Sequence, residues 1–243
     1  MLSARFTAVA VVTAVLVGTT AGTASGAGET YDEFSLLYNR SAGLVVDSAG
    51  NPASQWAWRP GDAGTSVIRW DSPSNWNKPG NGLEHFVRDG DWLYLDGYEN
   101  QSTGTYNVQR VTSEQIGDGN CAGMKPLPDH NGQQHYAQWT IPSAPYCLIA
   151  DGTITTPTGT VRFRHRQVWS PPTTCQTKYH GAVRCVRQAE SWWDDNGHPW
   201  GLRIERSQYL GKGLGMALSI HSTVGDGKPI DWHADLKDVW TWS

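Results

Sequence analysis

LEHFVRDGDWLYLDGY, residues 83–98, decides the fold class. Two runs, Leu83–Arg88 and Asp91–Tyr98, alternate apolar and polar residues on either side of Asp89-Gly90, a pair suited to a tight hairpin turn. One hairpin cannot bury its own apolar face, so further strands must cover it. Upstream, Gln55–Arg59 and Thr65–Asp71 read as strands, and YDEFSLLY (31–38) reads as a strand with Asp32, Phe34, Leu36 and Tyr38 on one side. Downstream, strands are expected at Gly104–Ser113, Gln134–Ile141, Tyr146–Ala150, Thr160–Trp169, Ala182–Trp193, Gly201–Leu210, Gly215–Thr223 and Ile230–Trp242. In the last of these, Leu236, Trp240 and Trp242 are expected on one face. Asp71–Gly82 and Gly117–Gly132, rich in Gly, Pro, Asn and Asp, read as long loops.

About a dozen short strands at such spacing mean a β-sandwich or a barrel. The long loops and the strand number favour an all-β antiparallel sandwich of jelly-roll or concanavalin-like type. A lipocalin-like up-and-down barrel is the alternative, because small barrels use about eight strands with tighter connections.

The N-terminus reads as an export signal. Arg5 supplies a positive start, Ala8–Val17 a short apolar run, and Ser25-Gly26-Ala27 a small-x-small cleavage pattern. Residues 1–27 are therefore expected to be a signal peptide, and 28–243 a single secreted, extracellular domain. No second apolar stretch of spanning length follows, so no membrane partner is expected. The whole chain carries a formal charge of −4, one unit more negative without Arg5, which disfavours nucleic acid as a partner. Four cysteines suit two disulfides formed in an oxidising compartment. Of the three possible pairings, Cys175–Cys185 around a turn-like stretch and Cys121–Cys147 are favoured. No Cys-x-x-Cys spacing suggests zinc, and the chain is taken as a monomer.

Thirteen tryptophans against four phenylalanines point to carbohydrate, because an indole offers a flat platform to the apolar C–H face of a sugar ring. Three regions could hold the chemistry. In Gly201–Thr223, strand alternation puts Arg203, Glu205, Ser207, Tyr209, Ser219 and His221 on the face away from Met216, Leu218 and Ile220. In Val161–Trp169, Arg162, Arg164 and Arg166 fall on one face; Phe163, His165, Gln167 and Trp169 fall on the other. In ESWWDDNGHPW (190–200), Glu190 lies beside Trp192 and Trp193, where desolvation would raise its pKa and suit it to act as a general acid. The acidic turn there leaves room for a structural calcium, and no other cofactor is expected. His130 and His135 lack a HExxH frame, and no Gly-x-Ser-x-Gly elbow exists.

These residues predict a secreted, polysaccharide-degrading enzyme. A lyase acting on a uronic-acid polymer would use Arg203 and Gln167 to bind the carboxylate. His165, Tyr209 and His221 would then move protons, and Trp169, Trp192 and Trp193 would line an aromatic groove. A glycoside hydrolase would use Glu190 and Glu205 instead. A non-catalytic carbohydrate- or ligand-binding protein, including a carrier with an interior pocket, is the third reading. Arg203-Ile204-Glu205 resembles the Arg-x-Glu strand motif of jelly-roll alginate and glucuronan lyases, but Gln134-His135 lacks the spacer of their Gln-x-His motif, and no family is assigned.

Overall fold

The computed structural model describes residues 28–60, 65–71, 83–100, 105–156, 158–195 and 201–242. The expected signal peptide, the Asp71–Gly82 loop beyond Asp71, and the turn holding His198 and Trp200 lie outside these residues. A helix, α1 (Tyr31–Ser35), precedes fifteen strands: β1 (Arg40–Asp47), β2 (Pro52–Pro60), β3 (Thr65–Asp71), β4 (Leu83–Asp89), β5 (Trp92–Asn100), β6 (Thr105–Asp118), β7 (Lys125–Pro126), β8 (Gln134–Gln138), β9 (Tyr146–Thr156), β10 (Gly159–Trp169), β11 (Thr173–Thr177), β12 (Gly181–Asp194), β13 (Gly201–Gly211), β14 (Gly215–Gly225) and β15 (Lys228–Trp242).

All pairings are antiparallel, and they close on themselves. The ring runs β1-β2-β3-β4-β5-β6-β9-β10-β12-β13-β14-β15 and returns to β1. Gly97–Asn100 of β5 pairs with Thr105–Val108 of β6, which joins the two halves of the ring. The molecule is thus a closed twelve-strand up-and-down barrel, not the jelly-roll or concanavalin-like sandwich that the sequence suggested. A sandwich needs strands that leave one sheet for another; here neighbours around the ring are neighbours in the chain once three attached strands are set aside. Strand number argued against an eight-strand barrel, but a wider ring accommodates it. The three others hang on the wall: β7 on β6, β8 on β5 and β11 on β12.

The hairpin that decided the class forms, with its turn one residue later than expected: the two-residue loop is Gly90-Asp91, between paired Asp89 and Trp92, and not Asp89-Gly90. Gly90 has φ +55°, the conformation a glycine takes without strain at this turn position.

The expected strand at 31–38 is instead α1. Glu33 turns back so that its Oε2 accepts from the Thr30 backbone N–H at 2.7 Å, and Leu36 ends the helix in the left-handed region at φ 58°. Tyr31, Phe34 and Ser35, spaced three and four apart, are buried, as a helix requires and a strand forbids. This helix packs on β13 and β14 and plugs one end of the barrel. Behind it an aromatic core fills half the interior: Trp56, Trp58, Phe86, Tyr136, Trp169 and Tyr31. The Trp56 indole lies so close over Gly43, its cross-strand partner, that a Cβ there would sit 2.4 Å from it. Trp240, expected beside Leu236, is exposed, because a register shift between Leu44 and Val45 reverses the facing of β15 beyond Leu236. The Trp242 side chain lies outside the description.

Both expected disulfides are present, Cys121–Cys147 with Cα atoms 5.1 Å apart and Cys175–Cys185 with 5.9 Å. They suit folding in an oxidising compartment. Among the described residues, no helix is long and apolar enough to cross a membrane.

Candidate functional site

Above the aromatic core, the barrel interior turns polar. Inward positions of successive strands contribute Gln109 (β6), Gln134 (β8), His165 and Gln167 (β10), Gln188 and Glu190 (β12), and Gln208 (β13), all buried. Four of them, Gln109, Gln134, His165 and Glu190, link into a chain. Gln109 Nε2 donates to Gln134 Oε1 at 2.5 Å, and Gln134 Nε2 meets His165 Nδ1 at 2.9 Å. His165 Nε2 meets Glu190 Oε2 at 3.2 Å. With the amide nitrogen donating, Nδ1 accepts and the Nε2–H donates to the carboxylate. The second Glu190 oxygen is held by Arg206 Nε, from β13.

This layer floors a cavity of about 370 Å³. Its lining falls at the ends of β9, β12 and β13 remote from α1, so plug and cavity occupy opposite halves of the barrel. One part of the lining is apolar and aromatic, with Leu95, Tyr98, Tyr136, Ile154, Trp192 and Ile204. Trp192 is held flat against Phe163, with ring centroids 4.5 Å apart and planes within 7°. Glu84, Asn107, His165, Glu190 and Arg206 supply the polar part. Asn107 Oδ1 is a buried acceptor with no partner among the described residues. Glu84 likewise makes no hydrogen bond to a described residue.

Two carboxyl groups in this one cavity are pushed in opposite directions. Burial drives Glu84 up; Arg206 opposes and Glu190 adds to the rise, leaving it at about 7. For Glu190, burial is also the largest effect, but Arg206 and the His165 hydrogen bond together outweigh it and bring it down to about 2. Glu190 is therefore a fixed anion. That corrects the expectation that its tryptophan neighbours would raise its pKa, because the expectation lacked Arg206. The carboxyl held near neutrality is Glu84. Sequence reading passed over it, since on β4 it looks like any alternating polar residue. Its inward facing follows from alternation with buried Phe86, two residues on, while the register shift between His85 and Phe86 places the extra residue on β5.

The barrel wall divides the residues singled out from sequence. His165, Gln167, Trp169, Glu190 and Trp192 point inward; Trp169 belongs to the aromatic core and is buried well below the cavity. Gln167 is buried with neither side-chain polar atom partnered among the described residues. Glu205 and His221 line a groove on the outer surface. Glu205 Oε2 accepts from Thr223 Oγ1 at 2.9 Å, and His221 Nε2 lies 3.0 Å from Asp231 Oδ1. Tyr209 is on the same outer face, cross-strand from Arg187 and Ser219. Arg203 is drawn aside to Asp194 at 2.9 Å. Trp193 follows a register shift after Trp192 and lies outside the cavity lining. The structure thus brings His165 and Glu190 together, and Glu205 with His221, but does not bring the two sets to one substrate.

The histidines at 130 and 135 are engaged elsewhere. His130 stacks on Tyr94 with centroids 3.7 Å apart, and His135 Nδ1 lies 2.5 Å from Glu114 Oε2. Among the described residues, no group of three or more His, Cys, Asp or Glu side chains is arranged to hold a metal ion.

No protein-family model matches the chain, and no curated protein matches it. Among solved structures, a candidate exported protein with YmcC-like fold from Bacteroides fragilis aligns over 84% of this chain and 95% of its own, at 7% identity and a TM-score of 0.37. That likeness assigns this chain neither a fold nor a function.

Proposed function

We propose that this is a secreted carbohydrate-binding protein whose barrel cavity takes a small sugar or a comparably polyhydroxylated molecule. The observation that carries the proposal is the two-sided cavity: aromatic rings on one side, and a carboxylate, a guanidinium, an amide oxygen and a neutral-range carboxyl on the other. A sugar is two-sided in the same way. Its ring C–H face packs on an indole, while its hydroxyls donate to Glu190 and Asn107 and accept from Arg206. Glu84, half protonated near neutrality, both donates and accepts. Cavities of this size in barrels hold one small ligand.

Binding is favoured over cleavage by the wall itself. β-Elimination by His165, Tyr209 and His221 needs all three at one α-proton, and they stand on two sides of the sheet. Hydrolysis by Glu190 and Glu205 meets the same obstacle. Export and the two disulfides fit a protein working outside the cell.

The test is calorimetric titration of the mature protein with a panel of mono- and disaccharides, with reducing ends assayed in parallel. The expected result is saturable binding of at least one sugar, weakened about tenfold by Trp192→Ala, without cleavage. Absence of binding across the panel, or release of reducing ends, overturns the proposal.

A further inference from the structure

The outer face of β10, β12, β13 and β14 carries a groove of about 370 Å³, whose lining shares Glu190 and Arg206 with the interior cavity but otherwise consists of outward residues of these four strands. Register explains the hollow. Across the wall, Val168 pairs with Ala189, Ala189 with Ser207, and Ser207 with His221. That row is short side chains until it reaches the histidine. One row toward the plugged end stands Arg187, opposite Tyr209; one row the other way stand Arg166, Ser191 and Glu205. A floor of small residues between two arginines makes the depression.

The arginines of β10 differ in what they meet. Arg164 is held by Asp151 through two hydrogen bonds, at 2.7 and 3.0 Å, and Arg162 is held by Asp195 at 2.6 Å. Arg166 has no carboxylate partner among the described residues; its Nε lies 3.2 Å from the Cys121 sulfur. Arg187 is exposed, and its guanidinium has no partner among the described residues. Of the other charged residues lining the groove, Glu190 is paired with Arg206, His221 lies against Asp231, and Glu205 accepts from the neutral Thr223 hydroxyl and keeps its charge. Two guanidinium forks therefore face a shared hollow without anions to fill them.

We propose that this groove binds a carboxylate-bearing oligosaccharide, with one uronate on Arg166 and another on Arg187. A guanidinium matches a carboxylate edge to edge through two parallel hydrogen bonds. Arg166 and Arg187 stand four strand residues and one strand apart, roughly 14 Å between Cα atoms. With both side chains extended along the groove, that spacing sets the two forks under successive carboxylates of one chain rather than under a single anion. Ser191, Ser207 and Thr223 offer hydroxyls to the sugars between, and Glu205 limits the site to ligands of spaced rather than dense charge. Arg166 and Arg187 line this groove and not the interior cavity, although Glu190 and Arg206 border both.

The experiment is titration of the mature protein with an oligogalacturonate of about six sugars, the galacturonate monomer, a neutral glucose oligomer and a sulfated oligomer of similar length, at low ionic strength. The oligogalacturonate is expected to bind, and to weaken as salt is raised. Arg166→Gln and Arg187→Gln are each expected to lower its affinity about tenfold with an unchanged thermal midpoint, while Glu205→Gln raises it. Trp192→Ala, in the interior cavity, is expected to leave it unchanged, which separates this site from the cavity. The monomer and the neutral oligomer are expected to show no binding that Arg166→Gln or Arg187→Gln weakens. Equal binding by the arginine variants, or a monomer whose binding those variants weaken as much as the oligomer's, overturns the site; a sulfated oligomer that binds as tightly as the uronate overturns its ligand class.

Discussion

Glu84 makes the stability of this protein depend on pH in a direction unusual for a carboxyl group. Its pKa rises from 4.5 to about 7 in the fold, so the native state holds a proton that the unfolded chain releases. The stabilisation is complete below the unfolded value and is lost as pH rises through the folded one. The shift sets an upper bound of about 3 kcal/mol. Chemical unfolding at about pH 5 and about pH 8 should therefore show a loss for the wild type that Glu84→Gln removes. Parallel pH profiles for the two proteins would mean that Glu84 is solvated and titrates normally. Glu190 has the opposite sign: its stabilising charge is present above 4.5 and lost as pH falls through about 2. The contrast shows what a sequence tells about a single residue. Alternation put Glu190 on one strand face with Trp192, but its ionisation depends on Arg206, which a cross-strand pairing of β12 and β13 delivers. Local reading supplies facing; it does not supply partners.

The helix α1 shows a similar limit one level up. YDEFSLLY satisfies a two-residue period and, equally, the three-and-four spacing of Tyr31, Phe34 and Ser35. The signal that separates the two is Thr30 with Glu33 three residues later, a helix-start pattern that a strand reading of 31–38 leaves out. Its function is to close the barrel end. Phe34 is fully buried in the aromatic core, so Phe34→Ala should cost about 3–5 kcal/mol and lower the thermal midpoint well beyond any surface change. Binding in the remote cavity should survive in the fraction that remains folded. If that variant stays as stable as the wild type, the helix is an appendage and not a plug. By contrast, the apolar face of β14 was legible. Met216, Leu218 and Ile220 face the core, and His221 faces out, because a hairpin with one buried face permits a single register.

Closure of the whole barrel was not legible, because strands of a sandwich and of a barrel show the same alternation. The difference lies in which edges meet. β1 pairs with β15 and β5 with β6, contacts between segments whose sequences carry no mark of each other. The cysteines did carry such a mark, and they divide the molecule into wall and attachment. Cys121–Cys147 ties the segment after β6 to β9, two strands of the ring, and closes a separation of 26 residues. Cys175–Cys185 ties β11, which pairs with β12 alone, over 10 residues. Loop-closure entropy assigns about 3.5 kcal/mol to the first and about 2.7 kcal/mol to the second, a modest difference in magnitude. The difference in location should be large. Replacing Cys175 and Cys185 by serine should speed amide hydrogen exchange in β11 while β12 and β13 stay protected. Replacing Cys121 and Cys147 should speed exchange along β6 and β9, because the ring itself loses a tie. Exchange that spreads into β13 after loss of the short disulfide would show that β11 is part of the wall's cooperative unit, and that the barrel's stability does not end at its twelve strands.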